Sequence, residues 1–116
     1  MRGASSNSAE VRFIDRDEVL EALRRAVSEA RASYPEILRV FLFGSLVEGN
    51  WTADSDADLM VVVRRDFSDL FERSRYQIRT AAIPTDTLVY SEAEFDQLSR
   101  DPESFVARSL ALAIEL

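Results

Sequence analysis

The sequence predicts a small α/β (α+β) domain: a mixed β-sheet packed with helices. Three observations predict it. The runs Ile37–Phe43 and Leu59–Val63 are almost wholly apolar and of strand length. That pattern belongs to strands buried on both faces. A third apolar run, Pro84–Tyr90, carries Thr, Val and Tyr, residues that suit a pleated surface. Segments with helical spacing alternate with these runs, and that order gives a sheet covered by helices.

In chain order, Met1–Glu10 is small and polar (Ser5, Ser6, Asn7, Ser8) and is expected to fray, leaving residues 11–116 as one domain. Asp15 with Glu18 three residues on reads as a capping box. The helix behind it places Val19, Leu20, Leu23, Val27 and Ala30 on one face, and Pro35 ends it. Ile37–Phe43 is the first strand. Gly44–Ser55 reads as a sharp turn, a short helical piece and a loop, with turn chemistry at Gly49-Asn50 and from Thr52 to Ser55. Asp56–Val63 is the second strand, its direction relative to the first left open. Asp66 is placed to cap a helix through about Ala81, with Phe67, Leu70, Phe71 and Ile78 apolar. Pro84 opens the third strand, a position where no ladder donor is needed. Ser91 and Glu94 form a second capping box, starting a helix through Leu98. Asp101-Pro102 reads as the N-cap and first residue of a last helix carrying Phe105, Val106 and Leu110. Ala111–Leu116 fits either the end of that helix or a further strand.

Composition narrows the chemistry. A hydrophobic content of 47% argues for a packed domain and against disorder. No run approaches the ~20 apolar residues of a membrane helix, and the N-terminus has no apolar secretory core, so the expected compartment is the cytoplasm. Cysteine and histidine are both absent, which excludes thiol chemistry, imidazole bases and soft metal sites. Carboxylates remain as ligands and catalysts. All 14 basic residues are arginine, so a lysine nucleophile or lysine phosphate clamp is excluded too. The net charge of −7 disfavours nucleic acid as a surface partner and favours a basic protein.

The chemistry concentrates in Val40–Val63. Asp56 and Asp58 are two apart at the start of a strand and so face the same side. Like charges that close repel unless a cation lies between them. Oxygen-only donors suit a hard ion such as magnesium. At the other end, Gly44 leaves the first strand where the main chain must turn sharply, and Ser45 offers a hydroxyl and backbone N–H groups to an anion. A metal-bound nucleoside triphosphate satisfies both ends. Singly, a D-x-D or a Gly-Ser is most often a solvated turn. The combination is far more specific: strand, Gly-Ser, ten residues, D-x-D entering an apolar strand, and Asp86 inside a third apolar run. Asp54 reads as a turn residue, Trp51 as local packing ahead of base stacking, and Arg64 and Arg65 as a solvated strand end.

Gly44-Ser45, the spacing, Asp56-Ala57-Asp58 and the later Asp86 together resemble the signature of the minimal nucleotidyltransferases of the polymerase-beta superfamily. The resemblance covers roughly residues 37–90 and is nearest to the small antitoxin partners of HEPN ribonuclease toxins. It implies a polymerase-beta-like nucleotidyltransferase fold and magnesium-dependent transfer of AMP from ATP to a tyrosine hydroxyl of a HEPN toxin, which silences the toxin. It further implies two Mg2+ ions held by Asp56, Asp58 and Asp86, with Asp86 completing the acceptor side. Gly44 and Ser45 would hold the triphosphate, and the toxin would be a hetero-oligomeric partner. Two alternatives stay open: an antitoxin that neutralises by binding alone, and a small-molecule transferase of the antibiotic-modifying type. The shortness of the chain favours a protein acceptor. In one respect the chain departs from the family. Relatives often carry an arginine just after the Gly-Ser, where this chain has Leu46, Val47 and Glu48.

Overall fold

The computed structural model of the protein describes residues 15–52, 54–67 and 70–116. The expectations for the first ten residues therefore lie outside the described residues. Helix α1 (Arg16–Ser33) begins where Asp15 accepts hydrogen bonds from the N–H groups of Asp17 (3.0 Å) and Glu18 (3.4 Å). This satisfies donors that a helix start otherwise leaves unpaired. The helix stops ahead of Pro35, with the Tyr34 N–H bound to the Ala30 carbonyl. No described helix is long and apolar enough to cross a membrane.

Strand β1 (Ile37–Phe43) leads through the short helix α2 (Ser45–Glu48) into β2 (Ala57–Val63), which lies antiparallel to it. Strand β3 (Thr85–Ser91) runs parallel to β2 on its other side. The last residues settle as β4 (Ile114–Glu115), antiparallel to β1 at Phe41 and Leu42, so Ala111–Leu116 resolves in favour of a strand. The spatial order is β3-β2-β1-β4.

Alternation along the strands divides the core in two. Val40, Leu42, Leu59, Val61 and Val63 face α1, meeting Val19, Leu20, Leu23 and Val27. Phe41, Met60 and Val62 face the opposite way. There α4 (Glu92–Ser99) contributes Phe95 and α5 (Phe105–Leu110) contributes Val106. Every residue of β2 except Asp58 is buried. That explains its unbroken apolar run: both faces of the strand are covered, and its edges carry β1 and β3.

Two elements differ from the sequence expectation. The helix expected through Ala81 is only α3 (Leu70–Ser74), and its start at Asp66 runs into residues outside those described. The chain leaves the helix because it has other partners. Tyr76 is buried, donates to Glu36 Oε2 (2.6 Å) and accepts from Arg65 (3.3 Å). The Ile78 backbone is bound at both ends by β3 side chains: its N–H by Thr87 Oγ1 (3.3 Å) and its carbonyl by Thr85 Oγ1 (2.6 Å). Arg65 is thus half-buried and paired, also with Glu72 (2.9 Å), rather than a solvated strand end. Likewise Asp101-Pro102 forms a turn, not a cap. Asp101 Oδ1 accepts from the Glu103 N–H (3.0 Å), and Ser104 caps α5 by accepting from the Ala107 N–H (3.0 Å).

The Ser91–Glu94 capping box forms in full, and Arg73 extends it. Its guanidinium makes two bonds to Glu94 (2.7 and 2.8 Å) and one to the Val89 carbonyl (2.8 Å), while stacking on Phe67. This arrangement, led by the Arg73 bonds, pulls the Glu94 carboxyl down to about 2. A carboxylate depressed in the folded state stabilises above its unfolded pKa and loses that contribution as pH falls. The window here runs from about 4.5 down to about 2. The Glu94 side chain is 40% exposed, so solvent screening trims the effect. Glu94→Gln is expected to cost about 1 kcal/mol at neutral pH, read as a lower denaturant midpoint. The gap from the parent chain should close as pH drops from 4.5 toward 2; a gap independent of pH would show that the ion pair contributes nothing.

Candidate active site

The three carboxylates singled out from the sequence meet at one end of the sheet. In the register, Asp58 lies opposite Phe43 on β1 and opposite Asp86 on β3. Strand pairing puts directly opposite side chains on the same face of the sheet. Asp56, two residues before Asp58, precedes the first residue of β2 and is exposed. The Ala57 N–H donates to the Pro84 carbonyl (2.9 Å), which fixes β3 in step with β2 just before Asp86. Asp58 is half-buried, whereas Asp86 is exposed. Burial raises the pKa of Asp58 first, and the charges of Asp86 and Asp56 raise it further. Among the described residues no three such side chains close into a finished metal cage. What the fold supplies is the juxtaposition: Asp58 and Asp86 side by side on one face, with Asp56 near enough for its charge to act on Asp58.

Gly44 completes the geometry. Its φ of +84° lies in the region that L side chains rarely adopt. A Cβ there would also run into Oδ2 of Asp58. Its carbonyl accepts from the N–H groups of Val47 and Glu48, both at 3.0 Å, so α2 starts at once. The N–H groups of Ser45 and Leu46 stand in that first turn, and no hydrogen bond within the described residues engages them. Gly49, at φ +91°, closes the piece by donating to the Ser45 carbonyl (3.0 Å). Leu46 is buried in the core beneath, and Arg16 at the head of α1 holds its carbonyl through Nε (2.9 Å).

The donor set fits a divalent cation. It is carboxylate oxygen alone, one member is already disfavoured as an anion by burial and then by its neighbours, and the missing side chain of Gly44 makes room for that member's carboxylate. Of the other residues considered, Trp51 packs partly buried against the α1 side of the core, and Asp54 lies in an exposed turn beside the Thr52–Ser55 hydrogen bonds. One aromatic escaped the sequence reading. Phe105 stands edge-on to Phe43 at 5.6 Å, on the carboxylate face, and its position there depends on the Ser104 cap. The composition of the last helix offers no signal for it.

The model of the family described as "Nucleotidyltransferase domain" matches residues 20–112. The chain belongs to this family. The match spans β1, the Gly44-Ser45 turn, and the strands bearing Asp58 and Asp86. A solved crystal structure from Sulfolobus solfataricus, provisionally described as that of a nucleotidyltransferase, is similar at 26% identity with a TM-score of 0.57. The similarity covers 71% of this chain and 75% of that one. No curated protein matches. As a nucleotidyltransferase-domain protein, the chain has an NTP and a divalent metal as the expected substrate and cofactor of its fold.

Two substitutions test the site. Asp58→Asn removes a carboxylate whose pKa is raised in the fold. Such a group favours the folded state only while protonated, below its unfolded pKa, and that advantage is lost as pH rises through the folded value. At neutral pH Asp58→Asn is therefore expected to raise the melting temperature of the metal-free protein by a few degrees while abolishing divalent-cation binding. An unchanged or lower melting temperature would contradict the electrostatic reading. Gly44→Ala is expected to cost roughly 1–3 kcal/mol through its positive φ and to displace the Asp58 carboxylate. Calorimetry with magnesium would then show weakened binding in the variant.

Proposed function

We propose that this chain transfers AMP from magnesium-bound ATP to a tyrosine hydroxyl of a partner protein, a HEPN-type ribonuclease toxin, and thereby silences it. The observation that carries the transferase part is the Asp58–Asp86 register, with the Gly44 turn laid directly against Asp58. Asp56 and Asp58 would hold the metal ions, and Asp86 would complete the acceptor side. Magnesium, when bound, would neutralise the triphosphate and lower the pKa of the acceptor hydroxyl. The chain's own part is positioning. The first turn of α2 presents the Ser45 hydroxyl and the Ser45 and Leu46 N–H groups to the terminal phosphates. The carboxylates fix the direction of attack, and the buried strand beneath them holds the constellation rigid.

The acceptor class rests on openness and charge. Asp56 and Asp86 are exposed, so the reacting centre lies on an open face rather than in an enclosed cavity. Of the surface grooves, one of about 310 Å³ runs instead along β3, lined by Arg73, Gln77 and Thr87–Tyr90. An open centre suits a hydroxyl carried by a macromolecule better than a free sugar or drug, and the net charge of −7 favours protein over nucleic acid. A second reading, neutralisation by binding alone, is favoured by one feature: α2 carries an exposed Glu48 and no basic side chain.

Mass spectrometry of a candidate HEPN toxin after incubation with this protein, ATP and magnesium separates the two. A gain of one or more AMP units, absent with Asp56→Asn/Asp58→Asn, is the expected outcome. A stable complex without any mass gain would overturn the transferase reading for that partner and favour neutralisation by binding.

A further inference from the structure

We infer that Phe105, braced by Phe43, is the platform on which the nucleobase of the bound triphosphate stacks. The inference rests on the nucleotidyltransferase reading and adds where the base goes. Phe43 is the cross-strand partner of Asp58, so its side chain shares a face with the carboxylates. Phe105 meets Phe43 edge-on, with centroids 5.6 Å apart and planes at 81°. This contact uses the Phe43 ring as a support and leaves Phe105 47% exposed. The ring is held firmly for an exposed one. Ser104, immediately before it, donates to the Leu98 carbonyl (2.6 Å) and accepts from the Ala107 N–H (3.0 Å), while Val106, immediately after it, is buried. A half-exposed aromatic ring on a capped helix start gives the flat apolar surface that any base can stack on, at little cost in ordering.

The register also says why the base, and not the acceptor, belongs there. Across the sheet the order is Asp86, Asp58, Phe43. Asp86 stands on the acceptor side of Asp58, and the aromatic pair stands on the other. Phe43 runs straight into Gly44 and Ser45, so the phosphate turn and the aromatic pair leave the same strand. A nucleotide with its terminal phosphates at Ser45 and its α-phosphorus at Asp58 would lie over β1 and β2, with Phe43 beside it and Asp86 beyond it. Trp51, the other aromatic near the turn, is packed against the core on the opposite face.

Isothermal titration of the full chain with Mg–ATP and with magnesium tripolyphosphate, which has the phosphates but no base, tests this. Phe105→Ala is expected to raise the Kd for Mg–ATP about tenfold and to leave that for tripolyphosphate unchanged. Phe105→Tyr, which keeps the ring, should bind ATP like the parent, as should Phe71→Ala, which removes an exposed ring elsewhere. In the unmodified protein saturated with Mg–ATP, NMR should show cross-peaks between Phe105 ring protons and adenine H8 or H2. Equal ATP affinity for Phe105→Ala, or a saturated complex without those cross-peaks, would overturn the platform and leave the transferase reading intact. Failure of the parent chain to bind either ligand would overturn both.

Discussion

The placement of β2 between β1 and β3 is the constraint on which the rest depends. One strand is hydrogen-bonded on both edges and covered on both faces, and its N-terminal end carries Asp58, with Asp56 just ahead of it. The pairing that buries Leu59, Met60, Val61 and Val62 also sets Asp58 against Phe43 on one side and Asp86 on the other. A slip of one residue between β2 and β3 would put Asp86 on the face opposite Asp58, and a slip between β1 and β2 would take Phe43 and Gly44 away from Asp58. Stability and chemistry are thus fixed by the same register. The antiparallel β1–β2 pair needs only the α2 turn to connect it, while the parallel β2–β3 pair requires a longer crossover. That crossover holds α3, Tyr76 and Ile78.

The site works against the fold that holds it. Asp58 is half-buried at the end of an otherwise fully buried strand, with two more carboxylates in range. Nothing in the core needs a charge at that place, and burial and like-charge repulsion both disfavour it. A dication resolves the conflict, because the repulsion that raises the Asp58 pKa becomes attraction to a shared ion. Gly44 fits the same account. A side chain there would take the space of the Asp58 carboxylate, and the positive φ excludes most residues in any case. The turn carries no side chain at the point where it passes directly against the Asp58 carboxylate.

How far the sequence could be read follows from which interactions are local. The strands β1 and β3, α1 with its Asp15 cap and the Ser91–Glu94 box were legible, since each depends on side-chain periodicity or on residues within a few positions. Gly44, Asp58 and Asp86 are brought together by strand register, and the sequence pointed to them only through the resemblance of their spacing to a family motif. The long second helix was not. Residues 75–82 carry a plausible helical pattern, but Thr85 and Thr87 capture the Ile78 backbone from another strand, and Glu36 captures Tyr76 from forty residues away. The start of α5 failed for a smaller reason: two candidate caps, Asp101 and Ser104, compete three residues apart. The second wins because its hydroxyl also reaches the Leu98 carbonyl and so ties the new helix to the old one. Phe105 was read only as an apolar position of the last helix, because its partner Phe43 lies on a strand far away in the sequence.

The replacement of a basic residue by Leu46-Val47-Glu48 changes meaning once the packing is known. Leu46 is buried to 1% exposure under α2, so its position belongs to the core, and an arginine there would have to bury its charge. A cation does reach this turn: Arg16, at the head of α1, binds the Leu46 carbonyl through Nε. That bond ties the guanidinium to the backbone of α2. Its role there is to hold α2 in place, and under the proposed reaction phosphate binding would fall to the Ser45 turn and to a bound metal. Such a site would hold its triphosphate through geometry that two residues, Gly44 and Asp58, control. Any loss of that geometry would then remove metal and nucleotide together, not one after the other.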